Sequence, residues 1–346
     1  MNSEKHFFRT GSSPWFRERR RSFVAGLSAM LGISCLLASL DVVQAQAVSY
    51  PSRPIKLVVP YAAGGSADVI GRIVGQGLSA RTGQPVVVEN RPGAGGHIGA
   101  EYMLSQPPDG YTLVLATIAH NGAFKMYRKL RYNPPVDLMP VVLIAESPNV
   151  LLVRNSLPVK SVAELIAMAR AEPGKLNYGS AGIGSATHIA GELFKYLVKV
   201  DIVMIPFSGG APALAALLGE QVDITFETGS TAQQALRTGK VRALAVTTAK
   251  RSTFYPDLPT VAEAGVPGYA AAPWYTISVA RRTPPQIVQK LNLELNSVIA
   301  SPDVAPRWQA LGVTPLGGTP DSAAHRNEAE TKRWTSLIDA AQIVAD

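Results

Sequence analysis

The chain has 346 residues, 47% hydrophobic, 17% charged and 7% aromatic, with a formal charge of +8. That is enough chain for two compact domains, too apolar for a largely disordered protein, and without the periodic Gly or Pro of a fibre. Six of the 33 Lys and Arg residues crowd into the first 45 residues (Lys5, Arg9, Arg17, Arg19, Arg20 and Arg21). The rest are scattered, with no basic tract and no aromatic-interleaved motif, which excludes nucleic acid as the partner.

The first 45 residues read as a signal peptide. A basic stretch ends at Arg19-Arg20-Arg21, an apolar run occupies 23–40, and Val43-Gln44-Ala45 resembles a small-residue cleavage site. Cleavage is expected near Ala45 or Ala47, and the periplasm is the expected location. Arg20-Arg21-Ser22-Phe23-Val24 also looks like a twin-arginine signal, so the export route stays open. The apolar run has the length of a membrane anchor, but Ser28, Ser34 and its glycines weaken it as a permanent span. Cys35 is the only cysteine and lies inside this run. The mature chain is therefore expected to have no disulfide, no thiol nucleophile and no Cys-based metal site.

Downstream, short apolar runs alternate with helix-period segments. The pattern predicts a buried strand over 55–59, then a helix capped by Ser66 with Val69, Ile70, Ile73, Val74 and Leu78 on one face. Strands follow over 85–89 and 112–117. Ser161-Val162-Ala163-Glu164 is a capping box that opens a helix to Ala171, stopped by Pro173-Gly174. Further strands are expected over 177–179, 201–205, 222–226, 241–247 and 275–280, with helices over 189–198, 212–219, 284–299 and 320–338. The alternation argues for an α/β fold with parallel sheets flanked by helices. No linker rich in Pro, Gly and Ser divides the chain, which suggests interleaved domains.

Several loops could carry a ligand. Tyr61, Ala62, Ala63, Gly64, Gly65, Ser66 and Asp68 follow the first strand and open a helix. Two glycines expose amides, the helix start adds partial positive charge, and Ser66 adds a hydroxyl. This is either an anion site or a tight turn with Ser66 or Asp68 merely capping. Ser180, Ala181, Gly182, Gly184, Ser185, Thr187 and His188 form a second loop of the same design. Together the two loops would clamp a small dianion. Neither fits a Walker A loop or the dinucleotide fingerprint. Gly93 to Gly99 reads as a tight connection, with His97 a hydrogen-bonding or capping residue. Pro206-Phe207-Ser208-Gly209-Gly210 is a further strand-to-helix loop. Glu227 would bind an ammonium or a bridging water, or else pair with a surface Lys or Arg. His97, His120, His188 and His325 are isolated from one another in the sequence, with no zinc-type spacing. His188 could resemble half of a catalytic pair; a polar ligand contact or a helix-cap contact fits its position better.

These pieces, in this order, resemble the Bug-type extracytoplasmic solute receptors of the tripartite tricarboxylate transporter system. The matching stretches begin at Pro60 (Pro-Tyr-Ala-Ala-Gly-Gly-Ser-Ala-Asp), Glu89 (Glu-Asn-Arg-Pro-Gly-Ala-Gly-Gly), Asp109 (Asp-Gly-Tyr-Thr-Leu) and Gly179. They continue at Gly209 (Gly-Gly-Ala-Pro-Ala), Ala243 (Ala-Leu-Ala-Val-Thr-Thr) and Leu258 (Leu-Pro-Thr-Val-Ala-Glu-Ala-Gly). The resemblance implies a type II periplasmic-binding-protein fold, a Venus flytrap of two α/β domains, one comprising 48–147 plus 274–346 and the other 148–273. It implies a small mono- or dicarboxylate, aromatic acid or amino acid held in the cleft by the loops above, with Thr117, Phe207, Ser208, Gly209 and Glu227 also at the site. It implies no catalytic residue, no metal and no cofactor. The expected partners are membrane permease subunits, unless the receptor serves signalling, and the protein is expected to be a monomer. Relatives often carry Asn at His97, Tyr-Lys at Phe207-Ser208 and Asp at Glu227, so one end of the ligand should be less anionic or more apolar here. The rival function is an exported hydrolase-like enzyme acting on a carboxylate in the same cleft.

Overall fold

The computed structural model describes residues 50–343; the expected signal peptide, the expected cleavage site and Cys35 lie outside the described residues. The chain begins with β1 (Ile55–Val59), α1 (Ser66–Thr82), β2 (Val86–Asn90), α2 (His97–Leu104) and β3 (Thr112–Ala116). Two single turns follow, α3 (Ile118–Asn121) and α4 (Pro134–Asp137), and then the long β4 (Leu138–Glu146). Next come β5 (Asn149–Arg154), α5 (Val162–Ala171), β6 (Asn177–Ser180), α6 (Ala186–Val198), β7 (Val203–Pro206) and α7 (Gly210–Leu218). The chain continues through β8 (Ile224–Thr228), α8 (Gly229–Arg237) and β9 (Val241–Val246). It closes with β10 (Trp274–Ala280), α9 (Pro285–Ile299), α10 (Ala305–Ala310), β11 (Thr314–Gly317) and α11 (Pro320–Ala341).

The strands form two sheets. One runs in the order β11-β4-β10-β3-β1-β2, the other β7-β6-β8-β5-β9. Neither is purely parallel, contrary to the sequence expectation. β1 is parallel to β2 and β3, but β10 runs antiparallel to both β3 and β4. In the second sheet β6 is parallel to β7 and β8, whereas β5 is antiparallel to β8 and β9. The antiparallel strands are those that enter or leave a sheet where the chain crosses between lobes, so they lack the helical crossover that enforces parallel pairing. β4, β5, α8 and β11 were not expected from the sequence.

The near-continuous apolar run of β1 is explained by helical layers on both faces. Leu57 and Val59 pack with Ile70 and Ile73 of α1, and Val58 packs with Met103 and Val114 on the other side. Ser66 is the first residue of α1 rather than its cap: Gly65 holds the cap position without a side-chain bond. Ser161 caps α5 as the motif predicts, accepting the Glu164 N–H at 3.1 Å. Its partner Glu164 reaches the N–H of Lys160 instead of that of Ser161. Two crossings join the lobes side by side, where the Ser147 N–H donates to the Pro273 carbonyl at 2.9 Å. No helix of the described residues is long and apolar enough to cross a membrane.

Candidate functional site

In a sheet with parallel strands the ligand crevice lies beyond the strands' carboxyl ends. Here β1, β3, β6, β7 and β8 all end at one cleft between the lobes. Its inner part is a chamber of about 50 Å³. Gly65 and Ser66 at the start of α1, Ser185 and Ala186 at the start of α6, Gly210 of α7 and Thr228 at the cap of α8 all line it. Four helices of nine or more residues thus begin at one small space. Each brings first-turn N–H groups that have no partner within their own helix, and the positive end of its dipole. No Lys or Arg is among the lining residues of this chamber.

The first loop is braced from behind. Asp68 is buried and accepts from the Gly64 N–H (3.0 Å), Asn90 Nδ2 (2.9 Å) and Arg72 Nε (3.0 Å). Burial works against its charge, yet these bonds from Arg72, Gly64 and Asn90 together hold the carboxyl below the usual range. Tyr61 Oη reaches the Gly95 carbonyl (3.0 Å) and Thr117 Oγ1 (2.9 Å), which fixes the floor of the cleft. In the second loop, the amides expected to face a ligand are partly consumed. The Ala181 N–H donates to Thr187 Oγ1 (2.7 Å) and the Gly184 N–H to His188 Nδ1 (3.0 Å). The small side chains there permit the turn, but their neighbours Thr187 and His188 stabilise it by taking those donors.

Of the sequence-predicted residues, Tyr61, Gly65, Ser66, Thr117, Ala181, Ser185, Thr187 and Glu227 line the inner chamber. Gly182, Phe207 and Ser208 line a wider mouth of about 830 Å³ that shares Tyr61 and Ala181 with the chamber. Asp68, Ser180, Gly184, His188 and Gly209 are buried behind these surfaces, and Ala62, Ala63 and Gly64 form the turn beside them. Gly210, in the third loop singled out from the sequence, also lines the chamber; sequence reasoning missed Thr228 and Tyr275 there, and Gly95, Tyr127, Lys129 and Arg131 at the mouth. Thr228 adjoins Glu227 at a strand's carboxyl end and was within reach of the same rule. Tyr275 was not, because the side of the sheet it faces depends on β10 pairing between β3 and β4.

Glu227 is 1% exposed. It is not the surface carboxylate paired with Lys or Arg that was one expectation. Its Oε1 accepts from Thr231 Oγ1 (2.6 Å) and from the Thr228 N–H (3.2 Å). Burial pushes its pKa up to about 7, against the opposing effect of these bonds.

The histidines are not isolated in space. His97 and His120 lie with ring centroids 5.3 Å apart, and His97 stands edge-on to Tyr127 at 4.6 Å. His97 Nδ1 lies 2.7 Å from the Tyr132 hydroxyl. His120 Nδ1 accepts the Thr117 N–H (3.2 Å), and its Nε2 donates to the Gly96 carbonyl (3.1 Å). Burial depresses both rings, His97 to about 2 and His120 to about 4, so this cluster is neutral. Among the described residues no group of three metal-ligating side chains gathers.

The lobes touch across the cleft. The Ala62 N–H donates to the Ser208 carbonyl at 3.2 Å, the Tyr127 hydroxyl to the Ile183 carbonyl, and Ser66 Oγ meets Thr228 Oγ1.

The family model described as "Tripartite tricarboxylate transporter family receptor" matches residues 70–343. Protein BugT of Bordetella pertussis is 36% identical over 314 residues, covering 90% of this chain and 96% of BugT. The solved structure of R. palustris Rpa4515 with adipate is similar at a TM-score of 0.82 and 40% identity, over 85% of this chain and 99% of that one. MatC from Rhodopseudomonas palustris with bound malate follows at a TM-score of 0.80 and 35% identity, over 84% and 100%.

Proposed function

Because the chain belongs to the tripartite tricarboxylate transporter receptor family, we propose that it is an exported solute receptor that captures a small carboxylate in the cleft between its lobes. The observation that carries this reading is the convergence of four helix N-termini on one chamber whose lining has no Lys or Arg. Such a space attracts an anion through backbone dipoles and N–H groups, and it suits the planar oxygens of a carboxylate. Relatives solved with adipate and malate agree with it. The ligand-contacting surface comprises Tyr61, Ser66, Thr117, Ser185, Thr187 and Glu227 in the chamber, with Gly182, Phe207 and Ser208 at the mouth. The lobe boundaries fall at 147/148 and 273/274. The protein works in the periplasm after cleavage near Ala45 or Ala47, as a monomer that delivers its ligand to permease subunits of a tripartite transporter.

The hydrolase alternative would use His188 as a base. Its Nδ1 is taken by the Gly184 N–H, its ring is buried, and it lines neither part of the cleft. The homologues are solute receptors, not enzymes.

A thermal-shift panel of mono- and dicarboxylates, aromatic acids and amino acids tests the reading. At about 100 times the dissociation constant, a bound ligand adds about 2.7 kcal/mol to native stability. That raises the melting temperature by roughly 4 °C for about 300 residues unfolding together. If no carboxylate moves it, the receptor reading falls.

A further inference from the structure

The inner chamber contains a contradiction in charge. It is built to attract an anion, yet Glu227 lines it and no ion pair to Glu227 exists among the described residues. What surrounds the carboxyl is hydroxyl and backbone. A chain of oxygens runs from Ser66 Oγ on α1 to Thr228 Oγ1, on to Thr231 Oγ1 at 3.0 Å, and to Glu227 Oε1 at 2.6 Å. From α7, Gly210 leaves the space the carboxyl occupies, because a Cβ there would lie 3.1 Å from Oε1.

Two carboxylates facing each other in a small buried space cannot both stay ionised; such pairs hold one proton between them. We propose, on the receptor reading above, that Glu227 binds as the neutral acid. Its O–H donates to one oxygen of the ligand carboxylate, and wherever free Glu227 is ionised, capture of the ligand takes up one proton from solvent. No bond to carbon changes: the proton moves from buffer to Glu227 and stays on the carboxyl pair until the ligand leaves.

The other groups facing this carboxyl do not supply the missing positive charge. Tyr61 beside β1 and Tyr275 on β10 are phenols whose pKa values burial raises, Tyr61 to about 12, so both are neutral. Asp68 on α1 is committed to Arg72 and Asn90 on the far side of its loop. From β5 the residue in register with Glu227 is Val150. On α6, His188 is neutral, depressed to about 4 by burial, and lies behind the loop. The free carboxyl, with a pKa of about 7, is half-protonated at neutral pH, so its occupancy by a proton is easily driven by an incoming anion.

The decisive measurement is calorimetry on the mature protein with adipate, malate, succinate and glutamate, at pH 6, 7 and 8, in pairs of buffers that differ in ionisation enthalpy. The tightest binder is expected to take up about half a proton at pH 7 and close to one at pH 8, with affinity about tenfold weaker at pH 8 than at pH 6. Glu227→Gln keeps a neutral donor, and it should bind without proton uptake and equally well at both pH values. Binding to the parent protein with no proton uptake and no pH dependence would overturn the proposal while leaving the receptor reading intact. Affinity that rises with pH would also overturn it, because ionised Glu227 would then be receiving a cationic group. No binding by these four acids or by any other acid of the thermal-shift panel, at any pH, would remove both readings.

Discussion

Gly182 holds a φ of +111°, and a Cβ at this position would lie 3.1 Å from the carbonyl oxygen of Phe207. A β-branched side chain would therefore meet both a forbidden backbone region and a rigid neighbour. Gly182→Val is expected to weaken carboxylate binding by tenfold or more, whereas Ser66→Ala and Ser185→Ala each remove one hydroxyl and cost about 1 kcal/mol, roughly fivefold. Calorimetry on the folded variants checks the contrast. If Gly182→Val binds like the parent, the second loop does not shape the site. At this scale the loops that line the cleft were legible in the sequence, because glycine and small polar residues at strand ends carry a backbone requirement that is visible in one dimension. The sequence did not reveal which amides remain for a ligand. Thr187 and His188 claim two of them through side-chain bonds to residues four and six positions back, and that choice depends on the rotamers α6 imposes.

α1 contains Gly71, Gly75 and Gly77, which intrinsic propensity counts against a helix. Apolar periodicity overrides that penalty, and the structure explains the glycines as points of close approach. A Cβ on Gly71 would lie 2.6 Å from Val59 Cγ2, and one on Gly77 would lie 2.4 Å from Val298 Cγ1 on α9. Propensity alone predicts that Gly77→Ala stabilises by about 1 kcal/mol. We expect the reverse, a loss of about 1–3 kcal/mol from overpacking against a stiff valine. Thermal melts of the single variant, of Val298→Ala and of the double variant decide it: Val298→Ala should cost less in the Gly77→Ala background than in the parent. A rise in melting temperature for Gly77→Ala alone would contradict the packing argument. The longer helices α1, α5, α6, α7, α9 and α11 and the strands β1 to β3 and β6 to β10 were legible as elements because each is a run bounded by turn chemistry. β4 and β5 were not, although both are strongly apolar. Pro140 interrupts β4 where its pairing with β10 shifts register, and Pro148 stands between the two strands, so the usual strand punctuation fell inside the structure.

The contacts between the lobes join residues far apart in sequence. Gly95 in the first lobe has a φ of +62°, and a Cβ there would fall 2.1 Å from the Ile183 carbonyl oxygen of the second. Gly95→Ala should leave each lobe folded and prevent them from meeting. Small-angle scattering should show the parent contracting when a carboxylate is added and the variant failing to contract, with affinity at least about tenfold weaker. A variant that contracts normally would show that the mouth does not close through this contact. Nothing in the local sequence around Gly95 or Ile183 announced their meeting. Apart from the resemblance to the receptor family, only the missing linker hinted that the lobes are interleaved. The chain crossings also set a timetable. The second sheet is complete once residue 246 has been made, but the first sheet needs β10, residues 274–280, to fill the slot between β3 and β4. During synthesis or translocation the second sheet can therefore pair first, while the first sheet waits half-built with the flanks of β3 and β4 unpaired. A nascent chain stalled between residues 247 and 273 would hold every strand of one sheet and leave the other sheet open to chaperones and proteases.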